Sequence, residues 1–382
     1  MTTLPLTAAY LLICFSIWLW YSLFGKYLIL DLGFRGEELG AAMMLYNLSY
    51  ALSTLPSGRL SDVIDVRKIL LAGIVAYALG ILLMAYSATF LLIGVACVIA
   101  GLGEGTFFTS ATVYAVKRGG ISRVGMVYGF VMSTGLLGEV LGALASGYVK
   151  EYLGVQMLFI LSALTALIAT PFLLALKSLQ SRRSDSRKQS SFNVLKLLKE
   201  HKNFRLMAVG LIFHAIGYNM TASFISVHAG ELGLADSEIG FVNFTWLASM
   251  TATTMPWSFL TDRIGGKIIL AGHVLFSSIS WMAYASTWNF AAIVCAAIFM
   301  GVVASMDMPA RRKLLAELES GQGIGTLIGS LDMLTMLSSI PAPILGGIIY
   351  QLSNLQALFL AASAVNLIGV PLLLRVRAET ES

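Results

Sequence analysis

Apolar residues in this chain gather into runs of about 20, each long enough to cross a hydrocarbon core of ~30 Å as a helix. Twelve such runs are predicted, with short polar turns between them: 6–30, 37–60, 67–88, 89–116, 122–149 and 155–177, then 204–229, 237–260, 267–287, 289–314, 321–350 and 354–374. No segment shows the short alternating strands of a membrane barrel, and backbone groups in lipid must bond internally, so the spans are expected to be helices. The first run is too long for a signal-peptide core and has no positive residue before it, so it is read as a retained first helix. Between the sixth and seventh runs lies a polar stretch rich in Ser, Lys and Arg. The expected organisation is an N-terminal six-helix bundle over 1–177, a basic cytoplasmic linker over 178–203 and a C-terminal six-helix bundle over 204–382. Inside the linker, Phe192 to Lys199 places apolar residues at helical spacing with lysines between them, which predicts a short amphipathic helix on the membrane surface.

The two halves repeat at an offset of 200 residues. Gly58, Leu60, Asp62 and Ile64 recur as Ser258, Leu260, Asp262 and Ile264, each copy following a proline, Pro56 or Pro256. Leu32-Gly33 with Glu38 and Gly40 matches Leu232-Gly233 with Glu238 and Gly240; Gly101, Gly129 and Gly147 match Gly301, Gly329 and Gly347. Parallel repeats of this kind are a design of secondary transporters. The fold class expected is an all-α membrane protein of two pseudo-symmetric bundles.

Composition agrees. Hydrophobic residues make up 57% and charged residues 12%, against roughly 25% charged in a soluble domain, too few to cover a water-facing surface. With both termini inside, all but Lys26, Arg35 and Lys150 of the 25 lysines and arginines fall on cytoplasmic loops, ends or the linker. The net charge of +5 is thus an orientation signal and no sign of nucleic acid binding. Cys14, Cys97 and Cys295 all sit in apolar runs without metal or disulfide spacing, and are read as packing residues.

At these motifs the chain resembles the major facilitator superfamily over nearly its whole length. That family's loop between helices 2 and 3 reads G-x-L-x-D-R-x-G-R/K-R/K. Gly58, Leu60, Asp62, Arg67 and Lys68 fit it, while Val63 and Asp65 depart; the second copy keeps Leu260, Asp262, Arg263, Gly265 and Lys267. The resemblance implies a gate, each aspartate meeting the N-terminus of a helix in the opposite half: near Ser320-Gly321 for Asp62 and near Ser122 for Asp262. The plainer role is to organise a tight turn. In span 5, Gly129, Gly138, Gly142 and Gly147 resemble the family's antiporter motif, with Ala143 in place of its proline; Pro343, Gly346 and Gly347 mirror it in span 11. Small residues spaced by four let helices approach closely, either as a seam for rocking or as generic packing. The Arg that drug antiporters carry four residues before the Gly101-x-Gly103 pair is here Cys97, which leaves Glu104 as the adjacent titrating group.

Charges inside a bilayer are costly, about 2.5–3.5 kcal/mol each on insertion scales, and so mark function first. Glu104 lies roughly 22 Å into span 4 at ~1.5 Å per residue, and Glu139 is about as deep in span 5. A carboxyl held at such depth favours its neutral form unless a cation is near, which suits it to carry a proton. Asp332 is read as part of the transport path or of an inner gate. Asp307 is read as an i, i+4 partner of Arg311. Lys26 either snorkels at the outer interface or meets an anionic group. His214 is a proton relay or a packing histidine. Asn47 with Tyr50, and Asn243 with Trp246, put polar and aromatic groups together as an amphipathic cargo requires.

The function expected is a secondary active transporter working by alternating access, with proton-coupled efflux of a small amphipathic molecule. The alternatives are uptake of a sugar or organic anion, a lipid or glycolipid flippase, or a sensor that has lost transport. Neither a G-x-x-x-x-G-K-[ST] loop nor H-E-x-x-H is present, so an ATP-driven pump, a zinc protease and enzymes generally are disfavoured. The expected partners are a small-molecule substrate, protons and the bilayer of the cell membrane, with no nucleic acid, no cofactor and no metal, and the chain acting as a monomer.

Overall fold

The computed structural model describes residues 4–178, 194–318 and 324–377, with the side chains at 119–128, 195–196 and 325–326 left out. In the first half, α1 (Leu4–Lys26) runs into a π-helical turn at Tyr27–Asp31. Then come α2 (Gly36–Val63), α3 (Val66–Ala85), α4 (Phe90–Leu153) and α5 (Val155–Leu174). A short α6 (Val194–Glu200) leads into α7 (Lys202–Thr221), a 3-10 turn at Ala222–Phe224 and α8 (Ile225–Glu231). The rest is α9 (Asp236–Ile264), α10 (Gly266–Ala285), α11 (Phe290–Ala304), α12 (Asp307–Glu317), α13 (Ile324–Ser339), α14 (Ala342–Leu352) and α15 (Leu355–Leu374). Among the described residues ten segments are long and apolar enough to cross a membrane. The remaining two predicted spans are α2 and α9, of 28 and 29 residues, also long enough but with charged first turns. The protein is thus all-α, with six spans in each half.

Several boundaries differ from the hydrophobic pattern. Spans 4 and 5 are two parts of α4, Phe90–Arg118 and Gly129–Leu153, and the backbone stays helical where a loop was expected. Span 11 is broken between α13 and α14. Pro341 and Pro343 sit there, and a proline lacks the N–H that would continue the helical ladder. Span 10 breaks between α11 and α12, just before Pro309. The amphipathic helix of the linker forms as α6. Its Leu197, however, is buried with Phe204, Met207, Leu270, Leu314 and Leu331, so the apolar side faces protein and not lipid. The remainder of the linker up to Asn193 lies outside the described residues. Cys14 and Cys97 are buried as expected, whereas Cys295 is exposed on the helix surface.

The chain divides into two compact units, residues 1–187 with 233–244, and residues 188–232 with 245–382. The beginning of α9 thus groups with the first unit. Two contacts explain it. Gly147 and Gly240 face each other at backbone distance: a Cβ on Gly240 would lie 2.9 Å from the Gly147 nitrogen. Asp236 also meets two lysines of the first unit.

Between the two halves of the sequence the repeat is visible as matching turns and contacts. Gly33 and Gly233 both turn the chain at positive φ, 73° and 78°, a conformation that suits glycine. Pro56 and Pro256 lie inside α2 and α9; Pro171 and Pro371 lie inside α5 and α15. A Cβ on Gly101 would meet Ser49 Oγ at 2.3 Å and the Tyr46 carbonyl at 2.4 Å. On Gly301 it would meet Ser249 Oγ at 2.1 Å and the Trp246 carbonyl at 2.2 Å. Large aromatics fill the interiors. Trp20 donates to Tyr77 Oη at 2.9 Å, beside Ser16 and Ser162, which tie α1, α3 and α5 together. In the second unit Trp281 stacks on Phe359 with centroids 5.9 Å apart.

Candidate functional site

The first unit places its two membrane-embedded carboxyl groups toward α1. Glu104 lies in the Gly101–Gly105 stretch of α4. A Cβ at Gly103 would meet the Tyr77 nitrogen at 2.2 Å, and one at Gly105 the Tyr50 carbonyl at 2.5 Å. The small residues thus pack α4 tightly on α2 and α3, and Glu104 extends from the remaining face. On the second part of α4, Gly138 and Gly142 seat α1 in the same way, against the Leu11 and Phe15 carbonyls at 2.3 and 2.4 Å. Glu139 sits between these two contacts, and the Trp18 indole N–H donates to its carboxyl. Cys14, one turn before Trp18, lies within electrostatic reach of both glutamates, and each glutamate is within reach of the other. Glu104 Oε2 is shielded from solvent and has no hydrogen-bond partner among the described residues. The same stretches of α1 and α4 also carry aromatic and sulfur groups that meet one another. Tyr10 donates to Met132 Sδ at 3.2 Å and packs edge-on against Phe108 at 5.1 Å, with Phe107 at 6.1 Å. The result is a pair of carboxyl groups, Glu139 accepting from the Trp18 indole and Glu104 Oε2 without a hydrogen-bond partner among the described residues.

Asn47 and Tyr50, expected to put polar and aromatic groups together, are half-buried on α2. Lys26 is not a free cation at the interface. Its Nζ lies 2.5 Å from Asp236 Oδ1, and Lys150 meets the same oxygen at 3.2 Å and Asp31 at 2.5 Å. Asn243, beside this cluster, donates to the Ser22 carbonyl at 3.1 Å. The Glu151 carboxylate accepts from the Ser237 N–H at 2.9 Å. Lys26 therefore neutralises a carboxylate, one of its two expected roles. The partner could not be foreseen, because it lies 210 positions away in the chain.

In the gate motif, the Asp62 carboxylate meets Lys117 at 3.2 Å, and Asp262 meets Lys313 at 3.6 Å. Each lysine also donates to a carbonyl of the motif, Ser61 at 2.7 Å and Asp262 at 3.0 Å. Asp65 caps α3 by accepting from the Arg67 N–H at 3.1 Å, and the Arg67 guanidinium reaches the Leu174 carbonyl at 3.4 Å. The expected helix-terminus targets at Ser122 and Ser320-Gly321 lie outside the described residues. Among the described residues a Cβ on Gly129 would meet open space, whereas one on Gly147 would collide with the Asp236 carbonyl and one on Gly346 with that of Met220. The packing motif thus holds the carboxylate-bearing part of α4 against α1 and the start of α9.

The second unit carries its polar groups at other depths. Arg311 grips Asp307 with two bonds, 2.6 and 3.1 Å, the i, i+4 pair that the spacing predicts. Asp332 accepts from Arg312 at 3.0 Å and lies 3.9 Å from Arg311, so it joins a basic cluster. His214 does not pair with Tyr218 or Asn219, its sequence neighbours. Its ring meets His273 of α10, Nε2 to Nε2, at 3.1 Å. Sequence reasoning missed His273. The signal was a lone ionisable residue in an apolar run, the same criterion that marks Glu104. Trp246 is buried, tilted against Tyr218 at 6.5 Å, which in turn lies 6.3 Å from Trp281.

Six spans in each half, a repeat expressed in three dimensions and carboxyl groups held in mid-span define a multi-pass membrane transporter of the secondary kind. The chain belongs to the Major Facilitator Superfamily, whose model matches residues 6–214 and again 207–382. It is similar to the quinolone resistance protein NorA of Staphylococcus aureus, 24% identical over 153 residues, covering 40% of this chain and 39% of NorA. It is also similar to the MFS-type transporter ppzB of Metarhizium majus, 22% identical over 162 residues, covering 42% of this chain and 34% of that protein. The matches thus span two fifths or less of these relatives' length. Among solved structures, the nucleoside transporter NupG superposes with a TM-score of 0.82 at 14% identity, covering 98% of each chain. A bacterial homologue of the lysosomal transporter Spinster superposes at 0.80 with 13% identity, covering 97% of this chain and 95% of that one. At such identity these structures establish the fold alone.

Proposed function

We propose that this transporter exports a small amphipathic organic molecule in exchange for protons. The observation that carries the reading is the pair Glu104 and Glu139, two mid-span carboxyl groups within electrostatic reach of each other, with the Trp18 indole donating to Glu139 and the rings of Tyr10, Phe107 and Phe108 packed together on the same two helices, α1 and α4. A carboxyl that meets an apolar surround and then water, as the path opens to each side in turn, binds and releases a proton. Aromatic rings around a few polar atoms suit an amphipathic cargo. The likeness to a quinolone resistance protein supports efflux, as far as the matched two fifths reach. The chain is placed in the cell membrane as a monomer with both termini in the cytoplasm, following the lysine and arginine distribution. Asp62, Arg67, Lys68, Asp262, Arg263 and Lys267 are assigned to the cytoplasmic gate.

The test uses purified protein in vesicles loaded with ethidium, a lipophilic cation. A pH gradient is expected to drive ethidium movement in the wild type and to lose its effect in Glu104→Gln, while ethidium still binds. Flux indifferent to the gradient in both proteins would remove proton coupling. Gradient-driven uptake of a nucleoside or sugar instead would replace efflux with the uptake alternative.

A further inference from the structure

The proton-coupling reading rests on the first unit, but the histidine pair of the second unit has a geometry of its own. The Val303 carbonyl only accepts, so His273 Nδ1, 2.8 Å away, carries a hydrogen. In the neutral ring His273 Nε2 is then a bare acceptor. It faces His214 Nε2 at 3.1 Å, so that nitrogen holds the hydrogen of the second ring. His214 Nδ1 is left as a lone pair. It is shielded from solvent and has no hydrogen-bond partner among the described residues. The Asn366 side chain lies within hydrogen-bonding reach of the His214 ring. Oriented with its nitrogen toward the His214 carbonyl it donates there at 3.3 Å, and its oxygen accepts from the Trp281 indole at 3.3 Å.

We propose that His214 and His273 form a two-ring proton wire that takes up a proton at His214 Nδ1 and delivers the positive charge to His273, beside the Asp307–Arg311 pair. The balance is simple. A proton binding at Nδ1 makes His214 an imidazolium whose Nε2–H already points at its neighbour. Transfer of that hydrogen to His273 Nε2 leaves His214 neutral, now carrying its hydrogen on Nδ1. His273 becomes the cation with a hydrogen on each nitrogen. One proton enters, none leaves, and no electron moves.

Both rings lie in the field of one ion pair. From α12, Asp307 and Arg311 lie within electrostatic reach of both rings. From α13 comes Asp332, already held by Arg312 and near Arg311. The segments of α11, α14 and α15 packed in this unit contain no Asp, Glu, Lys or Arg; α15 contributes only the Asn366 amide. The Asp307 carboxylate is therefore the anion that a charge on His273 meets, shared with Arg311. This deepens the proposed coupling by giving the second unit a proton site, and it rests on that reading for its role in transport.

The test is nitrogen NMR of purified full-length protein with labelled histidines, in detergent micelles, with signals assigned through single His→Gln variants. Expected at neutral pH are a hydrogen on His214 Nε2 and on His273 Nδ1. On acidification the two rings are expected to change together, as one step that binds one proton. In His273→Gln the His214 signal is expected to titrate alone at a different midpoint. A resting hydrogen on His214 Nδ1, or two rings that titrate independently, would overturn the wire. The wild-type tautomers decide this even where a variant fails to fold. Ethidium flux in vesicles keeps the two readings apart. Gradient-driven flux with independent rings leaves coupling standing and removes the wire. Gradient-insensitive flux with a shared step removes coupling and leaves the proton site.

Discussion

Lys150 Nζ lies 2.5 Å from Asp31, with the lysine side chain only 6% exposed. The same ammonium reaches Asp236 at 3.2 Å, so one buried cation holds two carboxylates. Removing one partner of a buried ion pair costs roughly 3–5 kcal/mol, because the charge left behind is desolvated without compensation. Lys150→Met is expected to lower the thermal unfolding midpoint of the detergent-purified protein strongly, and Asp31→Asn added to it is expected to recover part of the loss. Equal midpoints for wild type and Lys150→Met would show that water already solvates this cluster.

The two gate aspartates are a contrasting case. Asp62 is 72% exposed on its side chain, and its pair with Lys117 is open to water. Exposed pairs contribute about 0.2–1 kcal/mol. Asp62→Asn should leave the unfolding midpoint nearly unchanged while slowing ethidium movement in vesicles. A large loss of stability with normal transport would reduce the motif to turn organisation.

Asp307→Asn tests the pair that lies beside the histidines. Among the described residues Arg311 would keep only Asp332, 3.9 Å away. A loss of about 3–5 kcal/mol follows for a pair so well covered. Asp332→Asn should cost less, since its side chain is 44% exposed. The ranking, read from unfolding midpoints of the two variants, is the checkable outcome.

Glu104→Gln should fold at least as well as the wild type. The Oε2 atom has no partner to lose, and an amide carries no charge into the membrane. Glu139→Gln differs, because it weakens the Trp18 indole bond. A neutral hydrogen bond is worth ~1 kcal/mol net, so a drop of no more than that size is expected for Glu139→Gln. Tryptophan fluorescence reports the change at Trp18. Identical spectra and midpoints for both variants would contradict that contact.

Much of the architecture was legible because it is written in local periods. Runs of about 20 apolar residues become helices in any bilayer, and the Asp307–Arg311 pair lies within one helical turn. The breaks within spans 10 and 11 were harder, since membrane helices tolerate prolines when neighbours satisfy the freed groups. Pro56 and Pro256 stay inside unbroken helices, whereas Pro341 and Pro343 mark a break. Side-chain partners were least legible. His214 meets a ring 59 positions away, and Lys26 a carboxylate 210 positions away. Nothing in the period of a helix specifies which neighbouring helix it will touch. Glycine came nearest to carrying that information, since Gly138 and Gly142 stand where α1 crosses.

The duplicated seats at Gly101 and Gly301 give every substitution a natural replicate. The same hydroxyl and carbonyl positions confront both glycines, offset by one repeat. An alanine at either is expected to cost ~1–3 kcal/mol through overpacking, while Gly129→Ala, in open space within a helix, should gain roughly 0.5–1 kcal/mol. Where the Gly101→Ala and Gly301→Ala proteins unfold alike but transport differently, the difference measures how unequally two sister halves share one task.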